Sequence, residues 1–160
     1  MRRVWMVPMC VVAFAALTMA QNKIETKWHC SKATEQHKLD VGDMPGHTYG
    51  IQQGTCTATS TDPSFQEKSG TFTEFDEMGK ATYTGHGRYN VTMDNGDMVY
   101  YTYTTSGSAD TKKPASNKWT IHTGTGKEKG IKGSGTCSGT RNDDGSSDWE
   151  CTGTNTMAAK

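Results

Sequence analysis

Histidines, cysteines and one knot of carboxylates are the residues of this chain whose chemistry could go beyond packing. No pair among His29, His37, His47, His86 and His122 has the HExxH spacing of a zinc-binding helix. His29, His86 and His122 fall on the polar faces of three strand-like segments. A transition metal would gather them only if those strands were neighbours, and the reading preferred here is surface histidines with no metal. His47 is different, because it follows Pro45-Gly46, a rigid turn able to aim an imidazole into a cavity mouth. There it would act as a hydrogen-bonding or acid/base group near neutral pH, although the reading preferred here is a turn residue without a special role.

Gly135-Thr136-Cys137-Ser138-Gly139 has the form of a nucleophile elbow, which needs a strand followed by a helix. No helical pattern follows, so Cys137 reads as a disulfide partner instead. Gly124 to Lys127 lacks the spacing of a phosphate loop, and Glu128 would repel a phosphate. Asn142, Asp143, Asp144 and Asp148 with Gly145 offer oxygen ligands for Ca²⁺ but lack the order of an EF-hand loop. The same residues are what a hairpin turn prefers. Asn90-Val91-Thr92 is a glycosylation sequon inside a strand-like segment, relevant only in a eukaryotic host. No cofactor-binding motif is present, and none is expected to be needed.

The remaining candidates are rings. Tyr83, Tyr89, Tyr101, Tyr103, Trp119 and Trp149 alternate with glycines on one face of their segments. They form either a packed core or the lining of a cavity for an apolar or aromatic molecule. The arrangement favoured here is a packed core with a residual pocket at one end.

The elements that must position these residues begin after residue 20. Arg2 and Arg3 precede an apolar run from Val4 to Met19 that ends in small residues, which is the pattern of a secretory signal peptide. The run is short for a membrane span, which needs about 20 residues. Cys10 has no small residues before it and does not read as a lipoprotein site. Cleavage after Ala20 leaves 140 of the 160 residues (21–160) as a single domain that is secreted or periplasmic. It carries 15 basic and 17 acidic residues, because Arg2 and Arg3 leave with the signal. With no basic stripe, a nucleic-acid partner is not expected, nor is a membrane partner after cleavage.

Only 32% of the chain is hydrophobic, so rings must fill most of the core: Trp28, Tyr49, Phe72, Phe75, Tyr83, Tyr89, Tyr101, Tyr103, Trp119 and Trp149. Four cysteines survive cleavage, Cys30, Cys56, Cys137 and Cys151, an even count that reads as two disulfides. Of three possible pairings, Cys137–Cys151 is favoured because the turn-like 142–146 lies midway between them. That leaves Cys30–Cys56.

The strongest element spans residues 81–106, two alternating arms around Asn95-Gly96, and predicts a long hairpin with a type I′ turn. Further strands are predicted at 24–31, 48–59, 70–76, 117–124, 130–141 and 147–155, with a bulge near Gly54. Residues 33–38 are expected to form at most a helical turn. Eight antiparallel strands joined by tight turns, with no amphipathic helix, predict an all-β barrel, with a β-sandwich as the alternative.

The run Gly124-Thr-Gly-Lys-Glu-Lys-Gly-Ile-Lys-Gly-Ser-Gly-Thr, leading into Cys137-Ser-Gly-Thr, resembles the glycine-rich penultimate strands of allene-oxide-cyclase-like and dirigent-like barrels. Trp28-His29-Cys30, the segment Val41 to His47 and Met93 to Asp97 are similar to a set of uncharacterised secreted bacterial proteins. The resemblance implies an eight-stranded antiparallel barrel with a central cavity. It carries no catalytic residue onto this chain, and fold alone does not confer function. The functions that follow are a small-molecule-binding barrel, a metal-independent enzyme of cyclase or dirigent type, or an interaction protein with a filled barrel. A cavity above ~300 Å³ would favour the first two. Buried polar groups converging in it would favour the enzyme.

Overall fold

The computed structural model describes residues 21–157, so the predicted signal peptide lies outside the described residues. The described residues form nine strands and one 3-10 turn. The strands are β1 (Asn22–Cys30), β2 (Glu35–Asp40), β3 (Thr48–Ser60), β4 (Glu67–Met78), β5 (Thr82–Met93), β6 (Met98–Ser108), β7 (Ala115–Gly124), β8 (Lys132–Arg141) and β9 (Ser147–Thr156). The order is β1-β9-β8-β7-β6-β5-β4-β3-β2, and β1 also pairs with β3. That pairing closes eight antiparallel strands into a barrel, which decides against the sandwich.

The seam is short. Lys27 to Cys30 of β1 lie against Ser60 to Cys56 of β3, while residues 48–53 of β3 pair with β2 along the same edge. The Cys30–Cys56 disulfide sits where β3 passes from one partner to the other. The Cys137–Cys151 bridge joins directly opposed residues of β8 and β9. Both expected pairings therefore form, and two bridges are consistent with an oxidising compartment. Among the described residues no helix is long and apolar enough to cross a membrane.

Four local expectations need correction. Residues 35–40 form β2 instead of a helical turn, because the free edge of β3 supplies backbone partners that a local reading cannot see. There is no bulge near Gly54, since β3 and β4 stay in register from Thr48 to Thr57. Tyr49 therefore points outward at 50% exposure, and so does Phe75 at 54%, and neither belongs to the core. The 94–97 hairpin is not type I′. Asn95 has no positive φ, Gly96 alone has one (85°), and its N–H donates to the Met93 carbonyl at 3.0 Å. This is a type I turn closed by a bulge glycine, and Asn142 to Ser146 repeats it around Gly145.

The core has two storeys. Ile24, Val91, Met93, Val99, Ile121 and Ile131 fill one end of the barrel, helped by Phe65 from the β3–β4 loop. The rings occupy the other storey. They fit because strand glycines leave room beside them: a Cβ on Gly139 would stand 2.3 Å from the Trp149 indole, and one on Gly70 2.6 Å from the Tyr89 ring.

Candidate functional site

A cavity of about 360 Å³ runs down the ring storey and opens at the end of the barrel where β4 and β8 finish and β9 begins. Tyr83, Tyr89, Tyr101, Tyr103, Trp119 and Trp149 all line it. Their order follows from strand alternation, since odd-numbered residues of β5 to β9 face inward at these positions. Trp28 meets Tyr89 edge-on at 5.2 Å between centroids, and Tyr101 meets Trp119 the same way at 5.6 Å. Edge-to-face contacts favour the aromatic quadrupoles and lock the wall.

The structure also brings polar groups into this cavity that the sequence reading did not single out. Gly70, Phe72, Glu74, Asp76 and Met78 share the inward parity of β4. Glu74 and Asp76 are therefore buried, at 5% and 6% exposure. Each lies over a glycine of a flanking strand: a Cβ on Gly85 would come within 2.7 Å of the Glu74 carboxyl, and one on Gly50 within 2.6 Å of Asp76. Those two glycines opposite two acids were the available signal. It needs the strand register, and the stronger attraction of Phe75 to a core assignment hid it.

Glu74 is saturated with donors. The Tyr83 hydroxyl and Gln52 Nε2 (2.9 Å) donate to Oε1, and Thr105 Oγ1 donates to Oε2 at 3.1 Å. Asn117 Nδ2 in turn donates to Thr105 Oγ1 at 3.2 Å. Asp76 is the opposite case, because its buried Oδ2 has no hydrogen-bond partner. Burial first, and the neighbouring Glu74 second, push its carboxyl above the usual range against the pull of Lys38 and Arg141. Burial, with Glu74 adding, also raises the phenols of Tyr83 and Tyr103, which stay protonated donors.

Deeper in the barrel Glu67 accepts from Thr26 Oγ1 and Tyr101 Oη, both at 2.6 Å, and burial pushes its carboxyl up. The Tyr89 hydroxyl nearby is buried without a partner. An unpaired buried polar atom is costly, so Asp76 and Tyr89 are the two places where a ligand's polar groups would be rewarded.

His47 does not reach this cavity. Its Nδ1 lies 2.6 Å from Asp43 Oδ1 and its Nε2 3.0 Å from Glu77 Oε1, with Tyr49 packed beside the ring. The Pro45-Gly46 turn forms, with Gly46 at φ 78° and His47 N–H donating to the Met44 carbonyl at 3.2 Å. It places the imidazole on the outer side of the wall with the outward residues of β3 and β4, so His47, named as a candidate ligand-binding residue, is not aimed into the mouth.

His29 pairs with Asp148 at 2.7 Å on the outer face, His86 stacks on Phe75, and His122 lies on β7. They sit on strands that are not neighbours. Among the described residues no three His, Cys, Asp or Glu side chains are grouped to hold a metal. The Asn142–Asp148 cluster is a turn: Asp144 Oδ1 accepts from the Ser146 N–H (2.9 Å) and Oγ (2.6 Å).

The fold and site together define a closed eight-stranded antiparallel barrel with an aromatic cavity and a buried carboxyl pair near its mouth. Among solved structures, a pterocarpan synthase dirigent protein superimposes with a TM-score of 0.54 at 12% identity, over 97% of this chain and 98% of that one. The barrel is therefore dirigent-like in fold. No protein-family profile matches the chain, and no curated protein does.

Proposed function

We propose that the protein is an exported barrel that binds one small, largely aromatic molecule in its cavity. The observation that carries this reading is the open cavity of about 360 Å³, walled by eight rings and holding an unpartnered carboxyl oxygen on Asp76. The volume lies within the roughly 300–1,000 Å³ of small-molecule sites. Rings would stack on the apolar body, and Asp76 and Tyr89 would meet its hydroxyl or carbonyl groups. Export is supported by the leader-like residues 1–20 and by both disulfides. Native mass spectrometry of the chain purified from its own host tests it. The expected result is a bound small-molecule mass released on unfolding. A bare mass, together with no uptake from a panel of aromatic compounds, would defeat it.

A second reading is an enzyme of dirigent type, which guides a reactive intermediate in the same cavity. It is favoured by the convergence of Glu74, Asp76 and Tyr83, and the fold neighbour is a synthase. A carboxyl whose environment favours its protonated form can donate to a departing or ring-closing oxygen. Asp76→Asn would then keep ligand uptake and lose turnover. Unchanged turnover would exclude Asp76 as the acid.

A further inference from the structure

Four cations stand round the mouth of the cavity, each from a different element. Lys32 comes from the turn after β1, Lys38 from β2, Lys113 from the β6–β7 loop and Arg141 from the end of β8. The ion pairs among the described residues lie elsewhere, on Lys23, Lys27, His29 and His47. Arg141 is the most telling. Its guanidinium carbon lies 5.0 Å from the centre of the Tyr83 ring. Tyr83 belongs to β5, and β6 and β7 separate β5 from β8 around the barrel. The side chain therefore reaches across the mouth and rests on the far wall through a cation–π contact.

The acids close to this rim do not neutralise it fully. Glu74 keeps both oxygens on the neutral donors of Tyr83, Gln52 and Thr105 and forms no ion pair with a cation of the collar. Asp76 feels Lys38 and Arg141, but burial and then Glu74 outweigh them and hold its carboxyl above the usual range. Over the whole chain 17 basic residues balance 17 acidic ones, so the collar is a local segregation of charge and not a general basicity. An entering molecule meets positive charge first and aromatic walls behind it.

We propose that the mouth selects an amphipathic anion: an aromatic or apolar body seated among Tyr89, Tyr101 and Trp119, with a carboxylate, sulfonate or phosphate head held by Arg141 and Lys38. This rests on the ligand-binding reading above and adds the charge of the ligand and its orientation, head outward. Guanidinium suits such a head because its planar donors match two oxygens at once.

Two probes with one aromatic body separate the possibilities. 1-Anilinonaphthalene-8-sulfonate carries the anion, and N-phenyl-1-naphthylamine is its uncharged parent. Both are titrated by fluorescence into the disulfide-intact protein. The sulfonate is expected to bind about tenfold more tightly at low salt, a difference of about 1.4 kcal/mol. That advantage should shrink as salt rises from about 0.05 to 0.5 M, while the neutral probe stays level. Lys38→Gln combined with Arg141→Gln should bring the sulfonate down to the affinity of the neutral probe, and Arg141→Lys should retain most of the advantage. Circular dichroism confirms that each variant folds. Equal affinity of the two probes for the unaltered protein, or an advantage that survives the double substitution, overturns head-group selection while leaving cavity binding in place. Uptake of neither probe removes both.

Discussion

Gly139→Ala isolates the physical device on which the ring storey depends. Gly139 and Trp149 are directly opposed on β8 and β9, and the indole lies over the bare glycine. A Cβ at Gly139 would stand 2.3 Å from Cδ2 and Cε3 of that indole and 2.6 Å from Cε2. Normal carbon contacts begin near 3.5 Å, so the ring must retreat by roughly 1.2 Å. Overpacking of this kind costs about 1–3 kcal/mol. Against it stands the lower entropy of an unfolded chain with alanine, about 0.4–1 kcal/mol. The net expectation is a loss of about 1–2 kcal/mol, or a fall of roughly 3–8 °C in Tm for a domain of this size. Urea unfolding with both disulfides intact, followed by circular dichroism, should show a lower midpoint and an unchanged slope.

All three nearest atoms belong to one side chain, which permits a double-mutant cycle with Trp149→Leu. The Gly139→Ala penalty should largely vanish in the Trp149→Leu background, with a coupling of about 1 kcal/mol or more. Gly153→Ala provides the contrast. Its Cβ would meet the Ser134 carbonyl oxygen at 2.4 Å as well as Trp119, so Trp119→Leu should rescue it only in part. A Gly139→Ala protein as stable as the original, or penalties that simply add, would refute the role given to the glycines.

Two pH effects follow from the buried and paired groups. Glu67 has its folded pKa raised by burial, so the stability it contributes is full below the ordinary glutamate value of about 4.3 and is lost as pH rises through the folded value. Glu67→Gln should flatten that decline between acid and neutral pH, leaving the smaller slope of the same sign from Asp76, and denaturant midpoints at several pH values would show an unchanged decline if the assignment is wrong. His47 is raised by Asp43 first and Glu77 second, so its contribution is full below about pH 6.5 and fades as pH climbs through the folded value. A proton NMR titration should place the His47 midpoint above about 6.5, and Asp43→Asn should lower it; a midpoint at or below that value would contradict the ion pair.

How much was legible in the sequence depended on the range of the interaction. Period-two alternation in 81–106 and 147–155 was local, and it placed Tyr83, Tyr89, Tyr101, Tyr103 and Trp149 on the inward face, where all five line the cavity. The turn at 142–146 was local as well, and it brought Cys137 opposite Cys151. Even there the turn type was misjudged, because Asn95-Gly96 permits two conformations and the flanking register selected the one with a single positive φ. The carboxyl site escaped notice for a related reason. Glu74 and Asp76 look like ordinary surface acids until Gly50 and Gly85 are known to face them on β3 and β5.

The sequence by itself determined that this is an all-β chain with two cross-strand disulfides and a wall of rings spaced by glycines. The alternation and the glycine spacing are encoded by neighbours a few residues apart, and the even count of cysteines by composition. Only the tertiary structure decided that β1 meets β3 to close the barrel, that β2 exists at all, that His47 stands outside, and that Arg141 crosses to Tyr83. Those outcomes join residues from 8 to 58 positions apart, and the geometry of a closed, tilted sheet sets them, which no single stretch of chain contains.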